Sequence, residues 1–305
     1  MRDAVGQLWL DALHLVRVDN IPKPKVEGKL LRPAMCLLAA GATGSKDLER
    51  FVPMAMAYEA LHIASLTHDD VVDHALMRRG ASSLNAIWDN HAAVLGGDYL
   101  MARAIETLAD YGSCLVVKRA VSTIRRMAEG ELLFFGRGPD EIGKEDCLEL
   151  ASLKTASLFA EACSAAACVD APEYGDALHR FGITLGIAFQ IIDDLLDLSQ
   201  PAEQLGKPAC GDIVEGKVTI PILFMRRAMS AKERIQLDSY RDQELSEDDR
   251  EWIMAMAEQT DALKQGEAVA KAHTDEALEI LEQLPQSPYR SALEGLVEFI
   301  LVRTH

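Results

Sequence analysis

Two short stretches combine residue types and spacings suited to holding charge. Residues 68–73 read HDDVVD, and residues 193–197 read DDLLD inside the apolar run GIAFQIIDDLLDL. At 3.6 residues per turn, positions i and i+4 share a helix face. Asp69 therefore aligns with Asp73 and Asp193 with Asp197, while Asp70 and Asp194 stand off to one side. Carboxylates are costly to bury without partners, and at a helix C-terminus they oppose the dipole unless a cation compensates. Clustered Asp oxygens suit hard divalent ions, and Mg2+ in particular is held by a few carboxylates together with substrate phosphates. One DDxxD alone reads as a solvated helix face. Two with the same spacing, each ending an apolar helix, point to Mg2+ and a diphosphate bridging them.

The basic residues bear on that reading. A diphosphate needs cationic donors, and arginine suits bidentate contact. Lys29 and Arg32 lie in EGKLLRP, Arg78 and Arg79 directly after the first triplet in MRRG, and Lys154 with Thr155 in SLKTAS. Lys207 and Lys217 follow the second triplet in LGKP and EGKVT. Each alone reads as a surface cation; grouped at loop edges beside the acidic helices, they supply the donors. Lys154 has mostly apolar helical neighbours, which a snorkelling lysine would also explain. Traced backward, the first acidic stripe runs through Leu66, His62, Glu59 and Ala55, and the second through Gln190, Gly186 and Gly182. The small residues of the second stripe predict room beside that helix. His68 lies off the first stripe and reads as structural support, not a base.

The elements that must position these side chains are helical. Aromatic and β-branched residues are sparse beside Ala, Leu, Glu and Met, which favours helix. Periodicity predicts helices over 3–17, 29–41, 46–73, 91–110, 114–134, 145–168, 174–198, 218–229, 231–239, 246–257, 260–283 and 287–303. Their breakers include NIPKPKVEG, RGPDEIGKED, DAPEYGD, SQPAEQLGKPACGDIVEGK and LPQSPY. No alternating strand run, GxGxxG or P-loop is present. The stretch RDQELSEDDR (241–250) reads as a solvated turn and helix start. No linker is long enough to split the chain, so residues 1–305 read as one all-α domain.

Composition excludes several classes. The chain has 305 residues, 49% hydrophobic and 26% charged, with a net charge of −17, which disfavours nucleic acid as a partner because phosphate backbones demand a basic face. The six cysteines include no CxxC pair and read as reduced, packed thiols. The N-terminus does not resemble a signal peptide, and no apolar run reaches the length of a membrane span, so the expected location is the cytoplasm.

In chain order, GK..RP (28–33), LHIASLTHDDVVDHALMRRG (61–80), AVLGGDYL (93–100), MAEGEL (127–132), KTASLF (154–159), FQIIDDLLD (189–197) and GKPACGDIVEGKVTIP (206–221) resemble the trans-isoprenyl diphosphate synthases, the polyprenyl synthetase family, over nearly the entire chain. The resemblance implies an isoprenoid synthase-like bundle of about a dozen helices around a central substrate cavity. It implies that Asp69, Asp70, Asp73, Asp193, Asp194 and Asp197 bind Mg2+ and, through it, an allylic diphosphate. Arg78, Lys154, Gln190, Lys207 and Lys217 would serve that substrate, which could be dimethylallyl, geranyl, farnesyl or geranylgeranyl diphosphate. Lys29, Arg32, His62 and Arg79 would hold the diphosphate of isopentenyl diphosphate. Thr155 and Gln190, with Lys154, match positions facing the developing cation. A homodimer is also implied. The sequence departs from the family pattern at Leu30, His74, Ser82 and Ser83, and GELLFF lacks a common Gln; neither triplet loses a residue.

By the same resemblance, residues upstream of the first triplet line the product tunnel. Tyr58, Leu61, Ala64 and Ser65 are then the chain-length candidates. Ala64 and Ser65 are small, which favours a medium- or long-chain product over a short-chain (geranylgeranyl or farnesyl) one. Tyr58, eleven residues before Asp69 and ~16 Å deeper at helical rise, could be a floor or could turn into the helix packing. A terpene cyclase has no second diphosphate to hold. A non-catalytic subunit of a heteromeric synthase is expected to lose the triplets, and a helical scaffold leaves the Lys and Arg placements unexplained.

Overall fold

The computed structural model describes residues 30–75, 77–78, 81–200 and 209–302. The predicted helix over 3–17 lies outside the described residues. In order come α1 (Leu31–Ala42), α2 (Val52–Val72), strands β1 (Met77–Arg78) and β2 (Ala81–Ser82), α3 (Leu84–Ile87), α4 (Asn90–Ala109) and α5 (Cys114–Leu132). After α6 (Lys144–Leu150) a π-helical turn (Ala151–Ala156) leads into α7 (Ser157–Asp170) and α8 (Gly175–Ser199). The remaining elements are α9 (Gly211–Val214), α10 (Ile220–Ala228), α11 (Ala231–Asp238), α12 (Glu247–Gln259), α13 (Ala262–Leu281) and α14 (Pro288–Val302). Among the described residues, no helix is long and apolar enough to cross a membrane.

The chain divides into two compact units. The first comprises Met1–Arg125, Leu158–Gly182 and Ile280–Leu293. Its most extensive helix pairing is α2 with α4, followed by α1 with α2. Met35, Phe51, Met54, Tyr58, Leu61, Leu100, Leu108, Phe159, Leu178 and Phe181 are fully buried in it. At Gly182, a Cβ would lie 2.4 Å from the Ala160 Cα, so α7 crosses α8 backbone to backbone there. The room expected beside Gly182 is thus filled by a neighbouring helix. Small residues at a crossing invite close packing as readily as they leave a void.

The second unit comprises Arg126–Ser157, Ile183–Glu279 and Glu294–His305. Leu198, Cys210, Ile213, Ile222, Met225, Leu237, Ile253 and Met256 form a buried cluster in it. Its surface helices start on legible signals: Ser230 caps α11 reciprocally with Glu233, and Ser246 caps α12 with Asp249. The acidic stretch 241–250 is the solvated turn and helix start that its composition predicts.

Three local features depart from the sequence expectation. Strands β1 and β2 pair antiparallel with Met77 opposite Ser82, each too short to show alternation. The helix expected over 145–168 is interrupted by the π-turn at Ala151–Ala156. Gly130 of α5 lies against that turn, since a Cβ there would sit 3.0 Å from Leu153 Cβ and 3.2 Å from Lys154 N. Finally, Cys114 is exposed, unlike the buried Cys36, Cys147, Cys163 and Cys210. Burial pushes the Cys36, Cys147 and Cys210 thiols up to about 12, which leaves them protonated and inert near neutral pH.

Candidate active site

The first acidic motif closes α2. Asp73 is the C-cap, and His74 follows with φ +52°, in the left-handed region. The Ala75 N–H donates to the Asp70 carbonyl at 2.9 Å and the His74 N–H to the Val71 carbonyl at 3.4 Å, the two bonds of a Schellman motif. Asn85 Nδ2 donates to the Asp70 and Ala75 carbonyls at 3.1 and 3.0 Å, and Ser83 Oγ donates to the Ala75 carbonyl at 2.6 Å. The helix end that presents the carboxylates is therefore clamped by the segment after β2. Asp70 is buried, while Asp69 and Asp73 are partly exposed.

Residues upstream on α2 have separate surroundings. Ala64 is buried against Leu100 of α4. Ser65 Oγ donates to the carbonyl of the half-buried His62 at 2.8 Å. Tyr58 is fully buried. Burial first, and then the Glu161 charge, holds its phenol well above the usual range. Glu161 itself accepts from Arg119 Nε at 3.3 Å and lies 3.1 Å from His179 Nδ1, so a charged group sits deep beside Tyr58. In the same unit, the Arg32 guanidinium stands 4.6 Å over the Phe159 ring, a cation–π contact that fixes its plane.

The second motif lies on α8. Asp194 and Asp197 are buried and Asp193 is partly exposed. Thr155 Oγ1 donates to Gln190 Oε1 at 2.6 Å, and Gln190 Nε2 donates to Asp194 Oδ1 at 2.8 Å. The π-turn places Lys154 next to this chain of bonds, and Lys154 forms an ion pair with Glu131 of α5. π-turns inside helices recur at functional sites. Asp197 Oδ2 accepts the Asp212 N–H at 3.1 Å, and the Asp197 carbonyl accepts the Cys210 N–H at 2.9 Å. Those bonds fasten α9 to the end of α8. Lys217 pairs with Glu215.

This cluster fits a cation. Burial, and next the Asp212 charge, pushes the Asp194 carboxyl well above the usual carboxylate range; Asp193 and Asp197 add to the push, and the Gln190 hydrogen bond opposes it. A positive charge among these oxygens would relieve the repulsion. Among the described residues, no three acidic, His or Cys side chains converge as a ready-made metal cluster. A hard ion that takes few protein ligands and completes its shell with phosphate oxygens and water suits such a donor set. A cavity of about 380 Å³ lined by Ile192, Lys264, Lys271 and Leu301, among others, includes none of the candidate site residues.

Within the second unit, the structure thus brings together Lys154, Thr155, Gln190, Asp193, Asp194 and Asp197. Lys29, Arg79 and Lys207 lie outside the described residues, and Arg78 is described by its backbone alone, in β1. Sequence reasoning missed Asn85, Glu131 and Asp212. Glu131 stands in the quoted MAEGEL and Asp212 in GDIVEGK, but neither lies at a helical spacing from its partner. Asn85 carries no local signal.

The polyprenyl synthetase family model matches residues 21–257. The chain is 39% identical over 292 residues to the all-trans-nonaprenyl-diphosphate synthase (geranyl-diphosphate specific) of Rhodobacter capsulatus, covering 94% of this chain and 89% of that one. It is 35% identical over 279 residues to the octaprenyl diphosphate synthase of Escherichia coli K12, covering 90% and 86%. A polyprenyl synthase from Caulobacter crescentus CB15, solved with calcium and isoprenyl diphosphate, superposes with a TM-score of 0.88 at 33% identity, covering 99% of this chain and 94% of that one.

Proposed function

Because this chain belongs to the polyprenyl synthetase family, we propose that it is a Mg2+-dependent (E)-polyprenyl diphosphate synthase, joining isopentenyl diphosphate head-to-tail to an allylic diphosphate. Relatives named for nonaprenyl and octaprenyl products support a medium- or long-chain product. The observation that carries the reading is on α8: Asp194, crowded by Asp193, Asp197 and Asp212, is tied through Gln190 to Thr155, beside Lys154.

In this reading, Asp69, Asp70 and Asp73 and Asp193, Asp194 and Asp197 hold the metal. Mg2+, when bound, neutralises the diphosphate and eases its departure. Arg78, Lys154, Lys207 and Lys217 donate to the allylic diphosphate, and Lys154 exchanges its Glu131 partner for phosphate oxygens. The Thr155 and Gln190 dipoles, held by their mutual bond, face the allylic cation as its charge develops. Lys29, Arg32, His62 and Arg79 hold isopentenyl diphosphate so that its double bond attacks that cation. The proton then lost passes to the released diphosphate. The reading includes one catalytic domain, a homodimer and a cytoplasmic location.

The test is incubation of purified protein with Mg2+, isopentenyl diphosphate and each allylic primer in turn, with product length read by chromatography. The expected result is a polyprenyl ladder that disappears with chelator. No elongation from any primer overturns the reading, and arrest at geranylgeranyl or shorter overturns the product class.

A further inference from the structure

His68, the residue before the first acidic pair, is seated in a slot on α4. Its Nε2 lies 3.1 Å from the Val94 carbonyl oxygen and 3.4 Å from Asp98 Oδ1. These acceptors are one helical turn apart, and Gly97 forms the floor between them. A Cβ at Gly97 would lie 2.3 Å from His68 Nε2 and 2.6 Å from Cδ2, inside any van der Waals contact. The imidazole therefore rests on the bare Cα of Gly97. The Val94 carbonyl can only accept, so Nε2 carries the hydrogen and donates to it, with the Asp98 carboxylate close by.

We propose that the His68–Gly97 seat is a second positioning device of the first acidic motif, beside the Ser83 and Asn85 clamp: it fixes the roll of α2 about its own axis and so aims Asp69 and Asp73. Deeper down, α2 packs on α4 through apolar contacts, Ala64 against Leu100 with Ile63, Tyr99 and Met101 beside them, which are non-directional; the His68 seat adds a directional contact at the end that bears the carboxylates. A roll of ~20° moves a group at the helix rim, ~5–6 Å from the axis, by ~2 Å. Metal and phosphate contacts tolerate only a fraction of that. A ring whose Nε2 bonds to the Val94 carbonyl, with Asp98 beside that bond and Gly97 beneath the ring, resists such a roll. His68 acts through the carboxylates and does not touch substrate.

The inference rests on the metal reading of Asp69 and Asp73, and the test separates the two. Gly97→Ala, His68→Ala, the double variant and His68→Gln are compared with wild type. Gln Nε2 can occupy the place of the imidazole Nε2. Calorimetric binding of inorganic pyrophosphate in Mg2+ is the first readout. The second is backbone amide exchange over residues 69–75 in metal-free protein. Each alanine single variant is expected to weaken Mg2+-dependent pyrophosphate binding about tenfold and to speed exchange in that segment. The double variant should be no worse than either single one, because the methyl group added by Gly97→Ala enters space that the ring has vacated. His68→Gln should recover most of both losses. Additive losses in the double variant, or a lowered melting temperature with unchanged pyrophosphate affinity, overturn the seat. If wild type binds no Mg2+–pyrophosphate while the exchange pattern holds, the metal reading falls and the seat stands as a fixture of α2.

Discussion

Thr155 Oγ1 donates to Gln190 Oε1 at 2.6 Å, and that bond decides which way the Gln190 amide faces. With its oxygen committed to Thr155, the amide turns its NH2 end to Asp194. Thr155→Val removes the donor, and Gln190→Glu sets a second carboxylate against Asp194. A neutral hydrogen bond contributes about 1 kcal/mol and one to a charged group about 1.5–3 kcal/mol. The expected losses in kcat are therefore about fivefold for Thr155→Val and about tenfold to a hundredfold for Gln190→Glu. Steady-state elongation assays measure both, and unchanged kcat in Gln190→Glu would remove Gln190 from the reaction.

Asp197 also has a structural duty. Its Oδ2 accepts the Asp212 N–H, and the side chain is buried. Asp197→Ala leaves that N–H without its acceptor and is expected to cost about 1–2 kcal/mol. Asp197→Asn keeps an acceptor oxygen and should cost half of that or less. Denaturant unfolding gives the values, and equal losses in the two variants would show that the bond to Asp212 contributes nothing.

His74 occupies a left-handed conformation at φ +52° where glycine carries no Cβ penalty. The left-handed conformation costs an L-residue roughly 1–2 kcal/mol, and added freedom of glycine in the unfolded chain takes back about 0.4–1 kcal/mol. His74→Gly should thus raise stability by up to about 1.5 kcal/mol. A drop in melting temperature would mean that the imidazole makes a contact worth more than the strain.

His273 gives stability a pH dependence of defined sign. Burial first lowers its pKa from 6.5; Glu276, with a carboxylate oxygen 4.0 Å from Nδ1, opposes this, and Lys144 adds to it. The unfolded chain then binds a proton before the folded one does. The contribution of this group is fully present above about pH 6.5 and is lost as pH falls through the lower folded value. His273→Gln should flatten the decline in melting temperature just below about pH 6.5, and an unchanged profile would assign that decline to other groups.

Helix extents were legible wherever the chain carries its own punctuation. The Ser-initiated caps of α11 and α12, and the Pro-Gly segments before α6 and α8, fix those ends locally. The two acidic motifs were legible because their spacing matches the helical period. The π-turn was not, because nothing in its own residues marks it and the neighbour it packs against, Gly130, is on another helix. Glu131 and Asp212 were missed for a related reason, since their charges matter only once folding sets them beside Lys154 and Asp194. The room expected along the Gly186–Gly182 stripe fails at Gly182, where composition alone does not distinguish a void from a helix crossing.

The clamp at the end of α2 has an architectural consequence. Ser83 closes on the Ala75 carbonyl, so the chain leaves α2 and returns to it at nearly one point. The paired strands β1 and β2 fall between the two residues joined by that bond. Asn85 of α3 and Ser83 before it, which carry no charge and no motif, are therefore the positions that hold the end of α2.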